Sequence, residues 1–78
     1  MKILGIDTSL RSTGLAVVEL LGTRHIPLYT GRVRNAPALS RSACLLNIQR
    51  AIEAVIAEHR PDAAAIENVF LSKNFKTG

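Results

Sequence analysis

The sequence predicts an α/β fold: a three-stranded antiparallel meander, then one helix, then a strand parallel to the meander. Three observations predict it. Three short segments rich in β-branched residues occupy the first 34 residues, joined by hairpin-length links. Apolar residues then recur at helical spacing between Leu39 and His59. A last short run of small residues, "DAAAIE", follows a helix-ending proline.

Residues 2–7, "KILGID", read as a strand apolar on both faces, with Ile3, Leu4 and Ile6 around Gly5. Residues 14–20, "GLAVVEL", read as a second strand, and Gly22 suits a tight turn to the next. Residues 24–34, "RHIPLYTGRVR", make a third strand, and Pro27 places it at a sheet edge because proline cannot donate to a ladder. Leu45, Ile48, Ile52, Val55 and Ile56 then fall on one helical stripe. Ser40 is a fitting N-cap, and Pro61 ends the helix at or before Arg60. Residues 62–67 form the fourth strand, which a helical crossover should lay parallel to the first. A first strand apolar on both sides asks for cover on both faces, yet the chain offers one substantial helix. We therefore expect residues 1–78 to be the N-terminal portion of one domain whose fold is incomplete in this chain.

Bulk properties narrow the partners. A hydrophobic fraction of 47% is that of a globular protein rather than a disordered tail. No apolar run approaches the roughly 20 residues that span a bilayer. "ILGI" is too short for a secretory signal and is broken by Asp7. The lone cysteine, Cys44, sits among apolar neighbours as a core residue would. Together these point to a cytoplasmic protein without a membrane partner. The net charge of +4 is spread along the chain, which suits either a solvated surface or a face for a polyanion.

Two carboxylates carry the chemistry. Asp7 ends the first strand and Glu67 the fourth. If those strands are parallel neighbours, about 4.8 Å apart, the two acids can converge where open α/β sheets bind ligands. Carboxylates that close repel one another, and a hard divalent cation such as Mg²⁺ or Mn²⁺ removes the conflict. Such ions activate water and stabilise leaving oxygens in phosphodiester hydrolysis. The plainer alternative is a pair of solvated turn or cap residues.

The segments "ILGIDTSLRSTGLAVVE" and "PDAAAIENVFLSKN" resemble the N-terminal half of the RuvC Holliday-junction resolvases, which have a ribonuclease H-like fold. Openings in that family look like I-L-G-I-D-P-G-x-x-x-T-G-x-G-V, and the second block looks like P-D-x-x-A-I-E-x-V-F-x-x-K-N. The second block is the specific one. The resemblance implies that Asp7 and Glu67 are two of four acidic ligands for a pair of Mg²⁺ or Mn²⁺ ions, and are catalytic. It implies that Phe70 wedges against bases near a junction centre, where the residues alone would favour a core phenylalanine. Lys73 and Asn74 match the family's "KN" pair at the DNA-facing edge. Arg11 and Thr13, beside Asp7, are further candidates for the DNA backbone, although Thr13 and Gly14 could instead shape the turn.

The implied activity is structure-specific, metal-dependent cleavage of four-way DNA junctions by a homodimer, with a branch-migration motor complex as a candidate partner. Two departures qualify it. Thr8-Ser9 stands where the family has Pro-Gly, and the family's other two acids lie beyond residue 78, so this chain alone should be inactive. Thr8-Ser9 fits a rival better: the opening also resembles the phosphate-binding strand of actin-like ATPases and sugar kinases. A third reading is a non-catalytic, DNA-binding ribonuclease H-like module. Tight ATP binding indifferent to junction DNA would favour the kinase-like reading.

Overall fold

The computed structural model describes residues 1–67. The elements run β1 (Lys2–Asp7), β2 (Ser12–Leu21), β3 (Arg24–Arg34), α1 (Arg41–His59) and β4 (Ala63–Glu67). They form a four-stranded sheet in the order β3-β2-β1-β4. β1 pairs antiparallel with β2 and parallel with β4, as the crossover rule requires. The meander, the single helix and the parallel fourth strand therefore stand as the sequence predicts them.

Local chemistry explains the boundaries. Leu21 and Arg24 pair across a two-residue turn, and Gly22 takes a φ of 62°, the sign that primed hairpin turns require at their first residue. β3 is an edge strand, and its pairing with β2 slips between Val17 and Val18, opposite Tyr29 and Pro27. Leu28 is thus the extra residue of a bulge, at the point where Pro27 has no N–H to give. Ser40 caps α1 by accepting from the Ala43 N–H at 3.1 Å. Arg60 closes the helix in the left-handed region, its N–H donating to the Ile56 carbonyl at 2.8 Å, and Pro61 prevents continuation. The Lys2 ammonium donates to the His59 carbonyl at 3.0 Å, placing a cation at the helix C-terminus.

The core lies between one face of the sheet and α1. Leu4 and Ile6 of β1, Leu15 and Val17 of β2 and Val55 of α1 are its buried members, with Tyr29, Val33, Ala51 and Ile52 packed against them. Burying each such large aliphatic side chain contributes about 1.5–3 kcal/mol.

The helical stripe differs from the expected one. Leu45 and Ile56 remain 51% and 45% exposed, while Cys44 is fully buried. The seam runs through Cys44, Ile48, Ala51 and Val55, spaced four, three and four residues apart. The small Cys44 and Ala51 let the helix approach the sheet on a line that counting only large apolar residues does not find.

Gly31 has a steric reason. A Cβ there would meet the Tyr29 hydroxyl and stand 2.8 Å from its Cζ. The Tyr29 ring also lies 5.2 Å from that of His59, tying β3 to the end of the helix. Gly31→Ala should displace the ring and cost about 1–3 kcal/mol, read as a lower melting temperature with the far-ultraviolet circular dichroism retained. An unchanged melting temperature would mean that Tyr29 repacks without loss.

Candidate metal and nucleic-acid site

Strand alternation sorts the residues of β1 and β2 between two faces. Leu4, Ile6, Thr13, Leu15 and Val17 are buried, whereas Asp7 is exposed at the end of β1. Asp7 is paired with Gly14 on one side and with Glu67 on the other. The two carboxylate-bearing residues therefore end adjacent parallel strands in the same register, the arrangement that the strand order was expected to produce.

On the sheet face opposite α1, residues of β1, β2 and β3 line an open trough of about 490 Å³. Gly5, Gly14, Ala16 and Thr30 contribute to its lining, Asp7 lies at one strand end, and Arg32 comes from the edge strand β3. The small residues keep this surface low, so whatever covers this second face can come close to the backbone. Arg32 is the register partner of Gly14. Its guanidinium donates from Nη1 to the Ser12 carbonyl at 3.1 Å and to the Ser12 hydroxyl at 2.9 Å.

The loop between β1 and β2 is braced from within. Thr13 donates its hydroxyl to the Ser9 carbonyl at 2.6 Å and accepts from the Ser9 N–H at 3.4 Å, and its side chain is fully buried. Arg11 donates from Nη1 to the carbonyls of Ala36 and Leu39, at 2.9 and 3.1 Å, and contacts the Cys44 sulfur at 3.1 Å. Asn35 completes this knot: its amide donates to the Leu10 carbonyl at 2.8 Å, and its oxygen accepts from Asn47 at 3.0 Å.

The structure thus brings Asp7, Gly14 and the backbone of Glu67 together, and does not bring Arg11 or Thr13 into that group. A fully buried hydroxyl cannot touch a ligand on the surface, so Thr13 takes the turn-shaping role. Phe70, Lys73 and Asn74 lie outside the described residues. Sequence reasoning missed Asn35 and the position of Arg32. An asparagine at a strand end before a proline-containing loop was the available signal for the first, and only the β2–β3 register reveals the second.

The donor chemistry fits a divalent cation in part. The Asp7 carboxylate is a hard oxygen donor of the kind such a cation takes, and the backbone of a second acid, Glu67, ends the neighbouring strand, but no group of three or more His, Cys, Asp or Glu gathers among the described residues. Among those residues, too, no helix is long and apolar enough to cross a membrane.

A mixed sheet in this order, with acidic residues in register at the ends of its parallel strands, defines a protein of the ribonuclease H-like class. Within that class the chain belongs to the RuvC family: the family model described as crossover junction endodeoxyribonuclease RuvC matches residues 3–78. A crossover junction endodeoxyribonuclease RuvC from Pelobacter propionicus is 43% identical over 74 residues, covering 95% of this chain and 42% of the relative. The chain therefore spans less than half the length of that relative. Thermus thermophilus RuvC in complex with a Holliday junction substrate superimposes with a TM-score of 0.82 at 28% identity, covering 87% of this chain and 42% of that one. An exopolyphosphatase from Cytophaga hutchinsonii shares the fold alone, at 12% identity and a TM-score of 0.71 over 85% of this chain and 24% of its own.

Because Thr13 holds the loop and not a ligand, Thr13→Val should lower stability by about 1 kcal/mol. That corresponds to a fall of a few degrees in melting temperature, with DNA affinity retained when measured well below the transition. Weaker DNA binding at an unchanged melting temperature would return Thr13 to the DNA surface.

Proposed function

We propose that this chain carries part of the active site of a metal-dependent endonuclease that cuts four-way DNA junctions, with Asp7 and Glu67 as two of its metal ligands. The observation that carries the proposal is the Asp7–Glu67 register at the ends of adjacent parallel strands. The names of the similar proteins supply the substrate class: a crossover junction endodeoxyribonuclease and a RuvC bound to a Holliday junction.

The residues divide the work. Asp7 and Glu67 would hold Mg²⁺ or Mn²⁺, two ions in the complete site. Bound there, such ions lower the pKa of a coordinated water and stabilise the departing oxygen of a phosphodiester. Asp7 presents its carboxylate at the mouth of the trough, on a strand hydrogen-bonded on both sides, so it needs little reorganisation to bind a cation. Phe70 against bases, and Lys73 and Asn74 against the backbone, would extend the DNA contact along the second family block. A homodimer would set two such sites on opposite strands, so that paired nicks resolve the junction. Specificity would then come from junction shape and phosphate contacts rather than base reading.

The family match over residues 3–78, including the block after Glu67, favours this reading over the kinase-like one. Thr8-Ser9 replaces Pro-Gly in a loop that Thr13 and Ser9 brace internally, so the exchange leaves Asp7 at its strand end.

The test is Asp7→Asn in the protein as its gene encodes it, with Mg²⁺ or Mn²⁺ titrated into a four-way-junction cleavage assay. Cleavage should fall to background while junction binding persists, because asparagine keeps the shape and loses the charge that holds the cation. Undiminished cleavage by Asp7→Asn would overturn the assignment.

A further inference from the structure

On the nuclease reading above, we infer that Asn35 is a positioning residue for Asp7, acting through the loop that follows the carboxylate. Residues 8–11 carry the chain from Asp7 to Ser12, and none of them is buried. The buried apolar core draws on β1, β2 and α1 and takes nothing from this loop. Hydrophobic burial therefore does not hold the loop in place. Directional polar bonds do.

Asn35 grips two successive loop carbonyls. Its backbone N–H donates to Arg11 at 3.0 Å, and its side-chain amide donates to Leu10 at 2.8 Å. The same amide reaches the Cys44 carbonyl at 3.5 Å, and its oxygen accepts from the Asn47 amide at 3.0 Å. Cys44 and Asn47 both belong to α1, so one side chain joins the end of β3, the β1–β2 loop and the helix. From the other direction, the Arg11 guanidinium donates to the Ala36 and Leu39 carbonyls, between β3 and α1. The loop and the β3–α1 connection thus hold each other.

Asn35 is only 6% exposed, and its amide nitrogen and oxygen both have partners. A buried polar network with its bonds satisfied takes one arrangement and rigidifies what it joins. Asp7 is the last residue of β1, so the path of this loop sets where its carboxylate stands. A released loop would leave that carboxylate out of place for part of the time, and apparent cation affinity falls with the competent fraction. A merely stabilising Asn35 would alter the melting temperature alone.

The experiment measures Mn²⁺ binding directly, by loss of the free-ion electron paramagnetic resonance signal, well below the melting transition and without DNA. It uses the protein as its gene encodes it. Asn35→Ala should weaken Mn²⁺ binding about fivefold, the shift that one such bond makes to a balance between held and released states. In junction cleavage, the Mn²⁺ concentration for half-maximal rate should rise by the same factor, with the rate at saturating Mn²⁺ retained. Val55→Ala, in the core away from the loop, should lower the melting temperature and leave Mn²⁺ affinity unchanged. Arg11→Met breaks the other tie and removes a positive charge, which by Coulomb's law alone would strengthen cation binding. Weaker Mn²⁺ binding by Arg11→Met therefore marks release of the loop, and this variant carries the test if Asn35→Ala does not fold. Wild-type Mn²⁺ affinity in the folded variant, or an equal loss in Val55→Ala, would reduce Asn35 to a stabilising contact and overturn the inference alone. Wild-type protein that binds no Mn²⁺ would overturn the nuclease reading, and this inference with it.

Discussion

The pairing of β1 on both of its edges is the constraint on which the rest of the structure depends. β1 takes β2 antiparallel on one side and β4 parallel on the other, in one continuous register from Ile3 to Asp7. A slip of one residue would exchange the faces of the whole strand. Leu4 and Ile6 would leave the core, and Asp7 would turn toward it. Burial of those two side chains against α1 therefore also fixes where the carboxylate emerges. The hydrophobic core and the candidate site are two consequences of one register.

The strand's ends are secured differently. At the start, the Met1 ammonium donates to Glu19 at 2.6 Å and to the Leu20 carbonyl at 3.0 Å. The Lys2 N–H donates to the Asp62 carboxylate at 2.7 Å, and the Asp62 N–H returns a bond to the Lys2 carbonyl at 2.8 Å. That exchange opens the pairing of β4 with β1, which ends five residues later at Glu67 and Asp7. At the other end the loop after Asp7 is tied down by Thr13, Arg11 and Asn35, which donate to the carbonyls of Ser9, Ala36 and Leu10. Asp7 is thus exposed but borne on rigid surroundings.

The same sheet architecture occurs in an exopolyphosphatase of very different sequence. The fold thus offers a place at the strand ends without choosing the chemistry. What distinguishes this chain is what it puts there. An acid ends each parallel strand, small residues line the trough beside them, and an arginine is held by Ser12 short of the nearer acid. Arg11 shows another use of the same residue type. Its guanidinium lies against loop carbonyls and the Cys44 sulfur, joining the β1–β2 loop to the start of α1.

The sequence by itself determined the order of elements, the crossover that makes β1 and β4 parallel, and the carboxylates that end both strands. These follow from period, turn chemistry and chirality, which are local or nearly so. Ser40, Gly22 and Pro61 act within a few residues of where they stand, and each does what its type predicts. Only the tertiary structure decided which side of α1 faces the sheet, because Cys44 and Ala51 count for little in an apolar pattern but permit close approach. It also decided that Thr13 turns inward, and that Arg11 and Arg32, alike in sequence, differ in what they hold. Register across β2 and β3 separates the two arginines. Register is set by long-range packing and a bulge at Leu28, neither of which a single strand's sequence contains.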